Sequence, residues 1–246
     1  MNITSLKLSA TNCFVIRAAE NYVLIDTGYE DDWGEFCTRL READVELAQI
    51  SHLILTHHHD DHCGLLHNML RENDSIRVVM SHRCKDLILR GENDLTHGGG
   101  YVNRWVALIV RLYLSLILRK TRHTFPPYQL RDGDFLVTGD ANLQDIGIPL
   151  NGKIIETPGH TVDSISILFA DGDCLVGDAA ANMLQFAGTK YCAVFITDLG
   201  AYYESWEKII SAGASRIFPA HGAPFAADKL KGNLWKNKAE DMAPYR

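Results

Sequence analysis

The feature that most constrains this chain is one short pattern that recurs at four places. An apolar, strand-like run is followed at once by a break and by a His or Asp. The densest instance is Thr56-His57-His58-His59-Asp60-Asp61-His62-Cys63-Gly64, which follows Leu53-Ile54-Leu55. Four metal-capable side chains, His57, His59, Asp61 and His62, fall within six residues. Imidazole nitrogen and carboxylate oxygen are the donors that a zinc or iron site needs, and the spacing is dense enough for two metals. The other instances are Glu156-Thr157-Pro158-Gly159-His160-Thr161, Cys174-Leu175-Val176-Gly177-Asp178 and Ile217-Phe218-Pro219-Ala220-His221-Gly222. Strand ends let a rigid sheet hold a side chain while leaving it open to solvent. A solvated loop that happens to be rich in His is the plain alternative for residues 56–64. The three matching settings downstream weigh against it.

These stretches, with Leu24-Ile25-Asp26-Thr27-Gly28, resemble the metallo-β-lactamase superfamily in kind and in order, over roughly residues 20 to 225. The resemblance implies an α+β fold, a four-layer αββα sandwich in which two sheets pack face to face and helices cover the outside. It also implies roles. His57, His59 and His160 would hold a first metal; Asp61, His62 and His221 a second; and Asp178 would bridge them. Asp26 would stand behind the His-rich loop and orient ligands. Two dications about 3.5–4 Å apart would share a hydroxide that attacks a carbonyl or phosphoryl centre. Asp61 would align it, making Asp61 the catalytic residue, with Asp61 or water as the source of the leaving-group proton. Zinc is favoured by the nitrogen donors, while iron and manganese accept the same mixed set.

A carboxylate at Asp178 resembles the glyoxalase II, lactonase and tRNA-processing branches rather than those with Cys near this point. Two departures stand out. Quorum-signal lactonases carry a Tyr soon after the bridging Asp, where this chain has Ala179-Ala180-Ala181-Asn182. Glyoxalase II enzymes have a basic C-terminal helical region, for which this chain offers Lys229, Lys231, Lys236 and Lys238, equally readable as a solvated face. The reading is therefore a binuclear metal-dependent hydrolase of an ester, thioester or lactone. A phosphodiesterase or nuclease is the alternative, and a di-iron redox or signal-responsive protein a third. Oxygen-reducing di-iron members usually have Glu in place of one His of the first motif, and His59 is retained here.

Composition sets bounds on these readings. The chain has 246 residues, 46% of them apolar, enough for one domain (1–246) with a large core. A net charge of −7 argues against a nucleic-acid partner, which calls for a basic face. The six cysteines, at 13, 37, 63, 84, 174 and 192, contain no C-x-x-C pair and read as reduced thiols of a cytoplasmic protein. Cys63 could be a spare soft ligand, but reads better as a small packing residue. No basic segment followed by an apolar core opens the chain, so no targeting signal is expected.

Strands are expected at 3–8, 13–17, 22–26, 52–56, 76–80, 130–137, 153–157, 163–170, 173–177 and 215–218. Helices are expected at 31–43, 61–72, 82–90 and 200–212. Asp-Gly at 132–133 and 171–172 signals hairpin turns. One stretch stands outside the superfamily pattern, an apolar helix at 103–120 within an insertion at about 97–128. Arg111, Ser115 and Arg119 make one polar stripe on it, and it is too short and too interrupted to span a bilayer. Three roles suit it besides plain core: a cap over the metal cleft, a homodimer contact, or a membrane-surface helix aided by Arg119, Lys120, Arg122 and His123. A cap lined by Trp105, Leu108, Leu112 and Tyr113 would select a small-molecule substrate with an apolar or acyl portion.

His52, His67, His82, His97 and His123 lack the strand-end setting and read as structural or exposed. His58 and Asp60 alternate with the candidate ligands and are expected to point away from the metals. Gly98-Gly99-Gly100 lacks the Gly-Lys-Ser/Thr of a phosphate loop and reads as a hinge. Ser164 and Ser166 lack a G-x-S-x-G context. Tyr191, Tyr202 and Tyr203 are candidates to reach substrate that the sequence alone does not place.

Overall fold

The computed structural model describes residues 2–94, 98–113, 115 and 123–245. In the first sheet, β1 (Ile3–Lys7), β2 (Asn12–Ala18) and β3 (Asn21–Ile25) form an antiparallel meander. Three further strands then add in parallel: β4 (Ile50–Ile54), β5 (Arg77–Ser81) and β7 (Phe135–Val137). Parallel neighbours need a crossover. The chain supplies α1 (Trp33–Glu42) before β4, α2 (Asp60–Cys63) and α3 (Leu66–Glu72) before β5, and α4 (Lys85–Arg90) after it. The second sheet has the order β14 (Phe225–Ala226), β13 (Arg216–Pro219), β11 (Asp173–Gly177), β10 (Ile165–Phe169), β9 (Gly152–Glu156) and β8 (Ala141–Asn142). Only β11 and β13 run parallel there. A third, small sheet joins β12 (Phe195–Ile196), β6 (Gly100–Tyr101) and β15 (Ala243–Pro244).

Strand periodicity sorts the apolar residues into layers. Along β3, Val23 and Ile25 turn to one face and Leu24 to the other, and all three are buried. The inner layer joins Phe14, Ile16, Val23, Ile25, Ile54 and Val79 of the first sheet to Ile154, Ile165, Ile167, Leu175 and Phe218 of the second. The outer face of the first sheet packs Val15, Leu24, Leu53 and Val78 against Phe36 and Leu40 of α1 and Leu66 and Met69 of α3. The outer face of the second packs Ile155, Val176 and Ile217 against Tyr202, Trp206 and Ile209 of α6 (Leu199–Ser211). The short α7 (Asp228–Lys231) adds Leu230 to that layer. Each fully buried Leu, Ile or Phe here contributes on the order of 2 kcal/mol. The result is the expected helix–sheet–sheet–helix sandwich.

Three local expectations change. The segment read as one helix over 61–72 is two, separated at Gly64 and Leu65. A side chain at Gly64 would stand 2.5 Å from the Asp60 carbonyl oxygen and 2.7 Å from that of Gly28, so the end of α2 packs directly against the loop after β3. The strand read over 130–137 begins only at Phe135, and Asp132-Gly133 is not a hairpin turn. Asp134 instead accepts from the Arg131 backbone N–H at 2.8 Å and from that of Val78 at 3.0 Å, tying this turn to β5. Asp171-Gly172 does join an antiparallel pair, β10 and β11. The helix expected over 103–120 is described as α5 (Arg104–Tyr113), capped by Asn103, whose Oδ1 accepts from the N–H groups of Trp105 and Val106 at 2.9 Å. Residues 114 and 116–122, with Arg119, Lys120 and Arg122, lie outside the described residues, as does His97. No helix among the described residues is long and apolar enough to cross a membrane.

Candidate metal centre

Five strands end at one edge of the sandwich. β3 and β4 are parallel neighbours, β11 and β13 likewise, and β9 runs in the direction of β11 because two antiparallel steps separate them. Residues just past these ends therefore meet: Asp26 after β3, His57 to His62 after β4, His160 after β9, Asp178 after β11 and His221 after β13. The sheets are stitched together there. The Ile165 N–H donates to the Thr56 carbonyl at 2.9 Å, and the Asn12 N–H to the Ala220 carbonyl at 2.7 Å.

Three overlapping triads result. His57, His59 and His160 bring their donor atoms within 4.8 Å of one another, as do His57, His62 and Asp178, and Asp61, His62 and His221. Asp178 spans the groups, with Oδ2 at 3.4 Å from His160 Nε2 and Oδ1 at 3.3 Å from His221 Nε2 and 3.6 Å from His62 Nε2. The outer nitrogens are anchored: His160 Nδ1 on the Phe195 carbonyl (2.8 Å), His221 Nδ1 on the Ala10 carbonyl (2.9 Å), and His62 Nδ1 on Asp26 Oδ2 (2.9 Å). An acceptor at Nδ1 places the proton there and leaves the Nε2 lone pair for the cluster. Asp26 also accepts from the Thr56 N–H and hydroxyl, both at 2.7 Å. Its φ of 60° is the left-handed region, which a buried non-glycine residue holds only when its surroundings fix it.

The electrostatics divide the cluster. Burial drives His57 and His59 well below the ordinary imidazole value, with neighbouring imidazoles adding to the effect, and burial also lowers His160. Burial opposes charge on His62 as well, yet Asp61, Asp26 and Asp178 outweigh it and lift His62 to about 9. Asp178 and Asp61 likewise overcome burial to raise His221. In return Asp178 falls to about 2 against its own burial, chiefly through His221 and His160, and Asp61 falls through His62 and His221. Two ionised carboxylates thus draw positive charge into a buried, nitrogen-rich pocket.

Buried polar atoms normally find partners. Nε2 of His57, His59 and His62 and Oδ1 of Asp178 are buried and make no hydrogen bond among the described residues. That concentration of lone pairs fits cations held between them. Cys63 is not aimed at the cluster in the same way, since its thiol donates to the His58 carbonyl at 3.2 Å within the core.

The cluster opens into a cleft of about 380 Å³. Val110 and Tyr113 of α5, Met183, Val194, Phe195 and the rings of Tyr29, Tyr101 and Tyr245 form its less polar wall. Tyr101 and Tyr245 stack at 5.7 Å, and Phe195 meets Tyr245 edge-on at 5.5 Å. Arg111 fastens α5 to this wall. Its guanidinium lies 5.5 Å from the Tyr101 ring centre and donates to the Pro244 carbonyl at 2.8 Å.

A model of the metallo-beta-lactamase superfamily matches residues 6–221. The chain belongs to that superfamily. Among curated relatives, the beta-lactamase-like protein 2 homolog of Drosophila melanogaster is 25% identical over 222 residues, covering 90% of this chain and 61% of the relative. The chain spans between about half and three-fifths of the length of such relatives. Among solved structures, an archaeal superfamily protein from Sulfolobus tokodaii superposes with a TM-score of 0.64 at 19% identity, covering 96% of this chain and 85% of that one. TTHA1623, solved in a di-iron-bound form, superposes with a TM-score of 0.61 at 16% identity, covering 95% and 98%. These structures share the fold. Membership and the His/Asp cluster together support divalent-metal binding.

Within this superfamily fold, the seven residues read as ligands meet in one place, with Asp26 directly behind His62. The expectation for α5 needs correction. Of the four residues named for a cap, only Tyr113 lines the cleft. Trp105, Leu108 and Leu112 are 60%, 51% and 50% exposed on another face of the helix. The face that packs inward carries Val106, Ala107 and Val110, about 100° round the helix from Trp105 or further. Tyr202 and Tyr203 are buried, and Tyr202 supports the site from behind, donating to the Asp178 carbonyl at 3.0 Å. His58 does point away, with Nδ1 on Asp163 Oδ1 (2.9 Å) and Nε2 accepting from the Asp94 N–H (2.9 Å). Asp60 does not, because residues 60–63 form a helical turn to which strand alternation does not apply, and it lines the cleft beside Asn93 and His123. Neither partner carried a recognisable signal in the sequence.

Proposed function

We propose that this chain is a metal-dependent hydrolase that holds two divalent cations and cleaves an ester, thioester or lactone. His57, His59 and His160 would hold the first cation and Asp61, His62 and His221 the second, with Asp178 between them. The single observation that carries this reading is the set of overlapping triads whose unpartnered lone pairs converge at the floor of a cleft. When bound, such a pair supplies Lewis acidity toward a substrate oxygen and makes water acidic near neutral pH. Zinc suits the nitrogen-rich donors, and iron or manganese accept the same set.

The remaining work falls to the chain's own groups. The carbonyls of Phe195 and Ala10 and the carboxylate of Asp26 fix three imidazoles in the orientation a ligand needs. Thr11 donates to Asp61 Oδ2 at 3.2 Å and holds that carboxylate at the cleft floor, where it accepts a hydrogen bond from an attacking water. Val110, Val194, Phe195 and Tyr245 shed water from the acyl portion and orient it.

The test is a panel of a 4-nitrophenyl ester, an acyl thioester, a lactone and bis(4-nitrophenyl) phosphate, assayed with metal content measured by elemental analysis. Chelation should abolish turnover and metal addition should restore it. Asp61→Ala and His160→Ala should each lower kcat/KM at least about 100-fold. Full turnover by a preparation free of metal would refute the proposal. Turnover of the phosphodiester alone would move the reading to a phosphodiesterase with the same centre.

A further inference from the structure

Hydrolysis of an ester or thioester creates a leaving group that needs a proton. A carboxylate that binds a cation is ionised and offers only acceptors, so Asp61 and Asp178 are poorly suited to supply one. Among the described residues that line the cleft, His123 is the one imidazole outside the metal cluster.

Its setting is built rather than incidental. The Asp60 N–H donates to Asn93 Oδ1 at 2.8 Å, and Asn93 Nδ2 donates back to Asp60 Oδ1 at 2.8 Å. This reciprocal pair fixes the Asp60 carboxylate, whose side chain is 2% exposed. The second oxygen, Oδ2, lies 3.5 Å from His123 Nδ1. The His123 backbone is held by the same segment: the Asn93 N–H donates to the His123 carbonyl at 2.9 Å, and Glu92 bridges to Thr124. The imidazole thus presents Nδ1 to the Asp60 carboxylate at ion-pair distance and is 20% exposed, with Nε2 the nitrogen not turned to Asp60. A His whose Nδ1 faces a carboxylate is the usual form of an oriented acid–base group.

We propose that His123, positioned by Asp60 and Asn93, hydrogen-bonds the leaving-group atom of the substrate and gives it a proton. This rests on the hydrolase reading. The balance for an ester is simple. The acyl C–O bond breaks and its electron pair goes to the oxygen. The proton on Nε2 of the His123 imidazolium passes to that oxygen, leaving a neutral ring with its remaining proton on Nδ1 toward Asp60, and the alcohol departs. The imidazole recovers a proton from the water whose hydroxyl joined the acyl carbon.

The experiment compares ethyl butyrate, a poor leaving group, with 4-nitrophenyl butyrate, which needs no proton, in the metal-loaded protein. His123→Gln should lower kcat for the ethyl ester about 100-fold or more and change the nitrophenyl ester less than about 3-fold, with wild-type metal content by elemental analysis. In His123→Ala, added imidazole should restore part of the ethyl-ester rate, a rescue that a packing role would not allow. An equal loss on both esters, or no loss on either, overturns the proposal while leaving the hydrolase reading intact. If the wild-type protein cleaves neither these esters nor the broader panel, the hydrolase reading fails and this inference with it.

Discussion

Replacing Asp26 by Asn tests whether the cluster depends on a buried carboxylate that touches no substrate. Asp26 accepts three hydrogen bonds, at 2.7, 2.7 and 2.9 Å, from the Thr56 N–H, the Thr56 hydroxyl and His62 Nδ1. An amide keeps the shape but turns one oxygen into a donor. Placed at Oδ1, the NH2 opposes the Thr56 N–H. Placed at Oδ2, it faces His62 Nδ1, which must then accept, and the imidazole proton moves to Nε2. That nitrogen is the one 3.7 Å from Asp61 and 3.6 Å from Asp178, and a protonated Nε2 cannot be a ligand. Loss of an orienting partner behind a ligand costs about 10–100-fold in metal affinity, or about 1.4–2.7 kcal/mol. A charge-assisted hydrogen bond, worth about 1.5–3 kcal/mol, gives the same scale. On the proposed two-cation reading, we expect Asp26→Asn to weaken binding of the cation at Asp61, His62 and His221 by this factor and to leave that at His57, His59 and His160 close to wild type. Competition against a chromophoric chelator measures both affinities, and circular dichroism checks the fold. Wild-type affinity at both sites would refute the coupling, and equal loss at both would point to collapse of the loop instead.

Three further outcomes are expected. Tyr202→Phe removes a buried hydroxyl that donates to the Asp178 carbonyl at 3.0 Å and accepts from the Ala193 N–H at 2.9 Å; it should cost about 2 kcal/mol, seen as a Tm lowered by about 4–8 °C, and an unchanged Tm would contradict it. Gly159 has φ 131°, and a Cβ there would lie 2.4 Å from Tyr202 N and Cα, so Gly159→Ala should displace the His160 turn. A loss of at least about 2 kcal/mol in urea unfolding is expected, with less metal retained, and a wild-type midpoint would sink the idea. Burial alone would raise Asp163, but the facing His58, whose Nδ1 meets Asp163 Oδ1 at 2.9 Å, holds its carboxyl below the ordinary value. A depressed folded value stabilises fully above the unfolded carboxylate value of about 3.9 and fades as pH falls through the folded one. Asp163→Asn should therefore flatten the loss of stability below about pH 5 relative to wild type, and parallel urea-stability curves at pH 3–6 would exclude this.

The cluster was legible because its chemistry is local in sequence. Strand-like runs ending in Pro, Gly or polar residues placed His57 to His62, His160, Asp178 and His221 at the ends of β4, β9, β11 and β13. The wall opposite that logic was not legible. Tyr101, Phe195 and Tyr245 meet through strands of two residues or just beyond one, too short to leave any periodicity. For α5, the helical period showed stripes but not which stripe turns inward. The bulkiest apolar residues, Trp105, Leu108 and Leu112, suggested one face, while the smaller Val106, Ala107 and Val110 are the ones that pack. Asp60 shows a related failure, since alternation was applied where the backbone had already turned helical. His123 could be found only from the fold, because the Asn93 N–H that holds its carbonyl is distant in sequence and no motif links the two.

The small sheet that carries Tyr101 and Phe195 and leads into Tyr245 stands apart from the two large sheets that carry the candidate ligands. Under the proposed function, substrate choice would rest on side chains of this sheet and of α5, while its backbone still serves the cluster through the Phe195 carbonyl that anchors His160. On the proposed function, exchanging rings or aliphatic groups at positions 101, 110, 195 or 245 should change which molecules are accepted while leaving the candidate ligands in place. Directed libraries for altered substrate range belong on that rim rather than among the imidazoles.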